Sequence, residues 1–186
     1  MPHHYHRLHE VSDALLQGQI GLFPFDTIWG LTGIMEDSIA TRLQTVKQRP
    51  HAKPLIVMIS SPERLFSYVQ PLSPVAQRAI DHYWPGPVTL VFNKSDRVSD
   101  EITAGLSSVA IRCPSSGPIC KLLRLVDGPL LSTSANITTQ GTSDLDTLLH
   151  SKWIGRLDFT YTVDPCLNGV ASTIIDVRGK EEVVLR

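Results

Sequence analysis

Residues 109–132 read VAIRCPSSGPICKLLRLVDGPLLS, and this stretch decides the fold class. Val109 to Arg112 is a short apolar strand, Pro118 to Val126 a helix, and Leu130 to Ser132 a second strand. The same alternation extends towards both termini. Upstream, Leu8, Val11, Leu15 and Leu16 have helical spacing and Gly18 stops that helix. Ile20 to Phe23 follows as a buried strand ended by Pro24. Ile39, Leu43 and Val46 share one face of a helix with Ser38 as its cap. That helix ends near Arg49, because the residue before Pro50 is pushed out of helical geometry. Leu55 to Ile59 is the next strand. Ser73-Pro74 reads as an N-cap followed by proline at the first helical position, opening a helix that stops at Trp84-Pro85-Gly86. Val88 to Phe92 is again a strand. Downstream come a short helix over Leu145 to Leu149 and two strands, Ser172 to Val177 and Val183 to Leu185. Arg178-Gly179-Lys180 joins the last two as a hairpin turn. Strands alternating with helices, some of them hairpin-linked, predict an α/β fold with a mixed parallel/antiparallel sheet flanked by helices.

The composition bounds what such a fold does. At 186 residues the chain fits one domain, residues 1–186, and 42% hydrophobic residues supply its core. A formal net charge of -1 gives no global field for nucleic acid, so an RNA contact needs a local basic patch. The three cysteines, Cys113, Cys120 and Cys166, lack CxxC spacing, which argues against a disulfide framework and a structural zinc site. No apolar run reaches membrane-spanning length and no signal-peptide core precedes the first helix, so a cytoplasmic location is expected. His3, His4, His6 and His9 crowd the N-terminus and read as the solvated start of a helix rather than a metal site.

Polar residues gather at strand ends, where open α/β sheets bind ligands. Pro24-Phe25-Asp26-Thr27-Ile28-Trp29-Gly30-Leu31 follows a strand and reads equally as part of a ligand site or as an ordinary strand-to-helix loop with a turn-forming Asp, with Gly30 and Gly33 permitting tight turns. Lys47, Arg49 and Lys53 form a cationic group able to hold a polyanion, or a solvated helix end. Arg112, at the end of a buried strand, needs an anionic partner: a ligand carboxylate or an internal Asp or Glu. Ser132-Thr133-Ser134-Ala135-Asn136 offers phosphate, ribose or amino-acid contacts, or a capping turn. Gly169-Val170-Ala171-Ser172-Thr173 reads equally as a strand start. There is no GxxxxGK[ST], GxGxxG or GxSxG motif. These features alone end at an α/β domain with an anion-binding site.

The order of the clusters carries more. Residues 24–31 resemble the PTDTxYGL segment of the YrdC/TsaC family, with Phe25 in place of its threonine and Trp29 in place of its tyrosine. Lys47-Gln48-Arg49-Pro50 with Lys53-Pro54-Leu55 resembles its KxRP and (K/N)PL segments. Trp84-Pro85-Gly86-Pro87-Val88-Thr89 is similar to WPGPLT, Ser108 to Pro114 to VAVRxP, Ser134-Ala135-Asn136 to SAN, and residues 169–174 to the GxxSTxxD ending. The resemblance runs from about residue 11 to Arg186 and fits the short form of the family, with a YrdC-like fold.

The resemblance implies threonylcarbamoyl-AMP synthase activity, a nucleotidyltransfer joining L-threonine, bicarbonate and ATP into threonylcarbamoyl-adenylate and pyrophosphate for tRNA modification. It implies that Lys47 and Arg49 are catalytic. It implies that Arg49, Lys53, Ser108, Ser134, Asn136, Thr142 and Arg186 hold ATP. Thr27, Met58, Arg112, Ser132 and Ser172 would form the threonine site. Mg²⁺ would arrive with ATP, with no dedicated metal site in the protein. The implied partners are a downstream threonylcarbamoyl transferase complex and, through a local basic patch, tRNA or double-stranded RNA. A YrdC-like RNA-binding module without chemistry is the alternative. Dihydroxybutanone-phosphate synthase would need clustered acidic ligands where only Asp26 stands, and hydrogenase-maturation carbamoyltransferases carry CxxC motifs that this chain lacks.

Overall fold

The computed structural model describes residues 1–47, 53–135, 144–163, 165 and 167–186. In chain order the elements are β1 (His3–Tyr5), α1 (Leu8–Leu16), β2 (Gly21–Pro24), β3 (Trp29–Ile34), α2 (Asp37–Val46) and β4 (Ile56–Met58). Then follow α3 (Pro74–Tyr83), β5 (Val88–Asn93), α4 (Asp100–Thr103), β6 (Ser108–Arg112), α5 (Pro118–Val126) and β7 (Leu130–Ser134). The chain closes with α6 (Leu145–Leu149), β8 (Phe159–Tyr161), β9 (Thr173–Asp176) and β10 (Val183–Val184). The strands form one sheet in the order β1-β8-β2-β3-β7-β4-β6-β5-β9-β10. The β1–β8, β8–β2, β4–β6 and β5–β9 joins are parallel. The β2–β3, β3–β7, β7–β4, β6–β5 and β9–β10 joins are antiparallel, so the sheet is mixed as expected.

Alternation along each strand sorts side chains onto two faces. Leu22, Leu31, Val57, Leu131, Leu90 and Ile111 pack with Ile39 and Leu43 of α2 and Ala79 and Ile80 of α3. Their chain neighbours Phe23, Met58 and Leu130 pack on the other face with Val11 and Leu15 of α1 and Ile119, Leu122 and Leu123 of α5. Leu122 and Leu123 are fully buried, so cutting either back to alanine would cost about 2–5 kcal/mol. Ala110, Arg112, Val91, Ile174 and Asp176 of β6, β5 and β9 share this second face but lie outside the α1–α5 cluster, and they line a cavity instead. The two helices thus leave part of one sheet face uncovered, and the site occupies that part.

Local signals were obeyed where they are strongest. Ser73 Oγ accepts a hydrogen bond from the Ala76 amide at 3.1 Å, with Pro74 opening α3. Elsewhere the structure corrects the expectations. Residues 25–28 are not a strand-to-helix loop but the turn of the β2–β3 hairpin, which pairs Gly21 with Thr32 and Pro24 with Trp29. Gly30 and Gly33 are strand residues that supply room rather than turns. A Cβ at Gly30 would lie 2.4 Å from the Phe25 ring, and one at Gly33 would lie 2.3 Å from Ile39 Cγ2. Of the N-terminal histidines, His9 lies in the first turn of α1, but His3, His4 and His6 precede that helix. His3–Tyr5 is an edge strand beside β8, and His4 Nδ1 lies 2.7 Å from Thr160 Oγ1. Glu36, not Ser38, occupies the cap position of α2. Among the described residues no helix is long and apolar enough to cross a membrane.

Candidate active site

Strand register builds the floor of the cavity. Ser132 lies opposite Ile56, Ile56 opposite Ala110, Ala110 opposite Val91, and Val91 opposite Asp176. These five residues form a row across β7, β4, β6, β5 and β9, and all five line a cavity of about 420 Å³. That volume lies within the range of small-molecule and cofactor sites, about 300–1,000 Å³. Thr27, Lys53, Met58, Ser108, Arg112, Ser134, Ser172 and Arg186 also line it. With Ser132, the cavity gathers nine of the expected site residues. Lys47 lies outside this lining but borders an adjoining hollow of about 230 Å³, which shares Lys53 and Thr133 with the main cavity. Arg49, Asn136 and Thr142 lie outside the described residues.

The cavity has two chemically different ends. Lys53 precedes β4, whereas Arg112 pairs with Met58 at the last residue of that strand, so the two mark opposite ends. The register of Ser132 with Ile56 carries Ser134 towards the lysine end. Lys47, at the C-cap of α2, reaches Ser134 there and donates from Nζ to its carbonyl oxygen at 2.7 Å.

At the other end Arg112 is almost wholly buried, with 4% of its side chain exposed, against 3% for Asp26. Nη2 pairs with Asp26 Oδ1, Nη1 donates to Thr27 Oγ1 at 2.9 Å, and Nε donates to the Gly86 carbonyl at 3.2 Å. Burial pulls the arginine pKa below its ordinary value, and the Asp26 charge opposes that shift. The anionic partner of Arg112 in the structure is therefore internal. The Trp84–Gly86 turn docks on the end of β6 through the Gly86 amide and the Cys113 carbonyl, 2.8 Å apart. A Cβ at Gly86 would lie 2.3 Å from the Tyr83 carbonyl oxygen, so this turn requires glycine. Ser172 is fixed from behind by a 2.9 Å hydrogen bond to buried Thr89. Arg186 donates from Nε and Nη2 to the Ser172 carbonyl at 3.3 and 3.2 Å.

Asp176 and Arg178 line the cavity but were not among the expected site residues. Asp176 closes the floor row and holds Arg178 in a fork, with Nε at 2.9 Å from Oδ1 and Nη2 at 2.6 Å from Oδ2. The arginine holds the Asp176 carboxyl below the usual carboxylate range. Its signal was two-residue alternation from Ser172 through Ile174. Phe25, which stands where the resembling family has threonine, lines the cavity yet is 3% exposed and packs edge-on against Phe23. It belongs to the core as much as to the site.

The lining offers positioning groups rather than a nucleophile. No histidine stands among the described lining residues to activate a serine. Burial pushes the Cys113 thiol up to about 12, so it stays protonated at neutral pH. The fold and cavity define an α/β domain with a cavity that runs from a lysine end to a clamped arginine, two cationic groups suited to anionic ligand groups. A Sua5/YciO/YrdC family model, described as "Telomere recombination", matches residues 13–186, and the chain belongs to that family. A threonylcarbamoyl-AMP synthase of Pyrococcus abyssi is 32% identical over 171 residues, 91% of this chain and 50% of the relative. One from Vibrio vulnificus strain YJ016 is 35% identical over 136 residues, 72% of this chain and 73% of the relative. The crystal structure of P. abyssi Sua5 complexed with L-threonine superposes with a TM-score of 0.88 at 28% identity, covering 100% of this chain and 57% of that one. This chain spans about half the length of the Pyrococcus relative and of a similar Bacillus subtilis synthase.

Proposed function

We propose that this chain makes threonylcarbamoyl-adenylate and pyrophosphate from L-threonine, bicarbonate and ATP. The observation that carries the reading is one cavity with a lysine end and a buried-arginine end. The synthase names of its relatives, and the L-threonine in one related crystal structure, support it. The threonine amine takes up the carboxyl group of bicarbonate with loss of water. An oxygen of the resulting carbamate then attacks the α-phosphorus of ATP, and pyrophosphate leaves.

This chemistry needs alignment and charge compensation rather than a side-chain nucleophile. Arg112, Thr27, Ser132 and Ser172 receive the amino acid, with Met58 as an apolar wall. Lys47, Arg49 and Lys53 offset the charge of the phosphates. Ser108, Ser134, Asn136, Thr142 and Arg186 hold the rest of the nucleotide. The described lining contains Asp176, already engaged by Arg178, and the Arg112 clamp adds Asp26, so these carboxylates do not form a metal cage. Mg²⁺ would arrive with ATP and would supply further charge compensation at the phosphates. The adenylate would pass, in the cytoplasm, to a transferase complex that modifies tRNA. Incubating the purified protein with ATP, bicarbonate and L-threonine tests the reaction by mass spectrometry. The adenylate mass is expected only when all three are present, and ATP hydrolysis without adenylate would refute the assignment.

A further inference from the structure

Asp26 has no task in the reaction as proposed, yet the fold places its carboxylate against the guanidinium that receives the amino acid. The residue is 6% exposed and sits in the turn between β2 and β3. A buried carboxylate needs a partner, and breaking such a pair is costly. An apolar pair of similar volume would stabilise a core at least as well, so stability alone is a weak reason for a charge here.

The surrounding bonds point to orientation. The Asn168 amide donates to the Asp26 carbonyl at 3.2 Å, and the Gly169 amide to the Thr27 carbonyl at 2.9 Å. Within the turn, the Phe25 amide donates to the Ile28 carbonyl at 3.3 Å. The turn is therefore tied at both ends of the Asp26–Thr27 pair, and it presents two side-chain acceptors to Arg112. Gly86 supplies a third acceptor from a different segment. A planar guanidinium fixed at Nε, Nη1 and Nη2 cannot rotate about its terminal bonds. These bonds engage three of its five N–H donors. Two donors remain, enough for a bidentate fork to one carboxylate.

We propose that Asp26 is a positioning residue for the amino-acid substrate: its carboxylate, with Thr27 Oγ1 and the Gly86 carbonyl, locks Arg112 in the orientation that receives the ligand carboxylate. This rests on the amino-acid reading of the arginine end. Asp26 makes no contact with the reacting atoms, so its effect falls on amino-acid affinity and leaves the lysine end unchanged.

Calorimetric titrations with L-threonine and, separately, with ATP test the assignment on the full chain. Asp26→Asn keeps the shape and removes the charge. It is expected to weaken L-threonine binding about 10- to 100-fold and to leave ATP binding within about twofold. Adding Arg112→Lys to Asp26→Asn should then cost little more than either change alone, because the two residues act as one unit. If Asp26→Asn does not fold, Asp26→Glu takes its place. That variant keeps the charge but displaces it, and a smaller, still selective loss of threonine affinity is expected. Wild-type threonine affinity in the folded variant, parallel losses of both ligands, or additive effects with Arg112→Lys would each overturn the positioning role while leaving the amino-acid site intact. Failure of the wild-type protein to bind L-threonine would instead overturn the reading on which the proposal rests.

Discussion

The two ends of the cavity hold cations in opposite ways. Arg112 is buried and bonded to three groups on two segments of its own protein, whereas Lys53 is exposed and Lys47 half-buried at the end of a helix. A desolvated, immobile guanidinium offers geometry: few orientations and little loss of freedom on binding. Exposed ammonium groups offer charge, which adapts to a flexible polyanion and is weakened by salt. Such a site would sort its amino acid by shape and its nucleotide largely by charge.

The largest expected effect comes from breaking the buried pair. Arg112→Met strands the Asp26 carboxylate in the protein interior, at a cost of about 3–5 kcal/mol in urea unfolding. A change below about 1 kcal/mol would mean that the pair is solvated, and the contrast between the two ends would collapse. Next comes Phe25, where family resemblance suggests that Phe25→Thr should keep or improve activity. Its packing against Phe23 and Gly30 argues otherwise. The substitution should destabilise the protein by about 3 kcal/mol, near the lower end for large aromatic truncations. Unchanged stability would return Phe25 to the substrate side of the wall.

At the lysine end, Lys47→Ala should leave the fold intact and cost about 1.5–3 kcal/mol of ATP affinity, as for hydrogen bonds to charged groups. Raising ionic strength should erode ATP binding in the wild type more than threonine binding. Equal salt dependence of the two ligands would contradict the division. The smallest effect concerns Asp176 and Arg178, which are partly exposed. Asp176 titrates lower in the folded protein, so its stabilisation is present above the unfolded carboxylate value, about 3.9. It is lost as pH falls through the lower folded value. Asp176→Asn should cost about 0.5 kcal/mol at pH 7, and the difference from wild type should vanish in strong acid.

How legible the molecule was in its sequence follows the same contrast between local and long-range causes. The α3 cap needs only Ser73, Pro74 and the Ala76 amide, and the sequence showed it. The spans of α5 and α6 were legible for the same reason. β3 was not, because glycines weaken a strand signal, and Gly30 and Gly33 are explained only by Phe25 and Ile39 lying against them. β1 and β8 are three-residue strands that exist through their pairing, so their composition says little. At the site, the polar clusters of the sequence marked residues that line the cavity, although its floor is a row across the sheet face rather than a set of strand ends. The sequence left the partner of Arg112 open because Asp26 lies 86 residues away and only the folded hairpin brings it close. Asp176 stood at the end of a motif that was read for its serine.

Titrating the Arg112→Lys protein with L-threonine and with ATP separates the two ends of the cavity. A lysine keeps the charge but cannot reproduce the planar fork. Threonine affinity is expected to fall at least tenfold, with ATP affinity within about twofold of wild type and the fold retained. ATP affinity that falls while threonine affinity holds would instead place Arg112 in the nucleotide site.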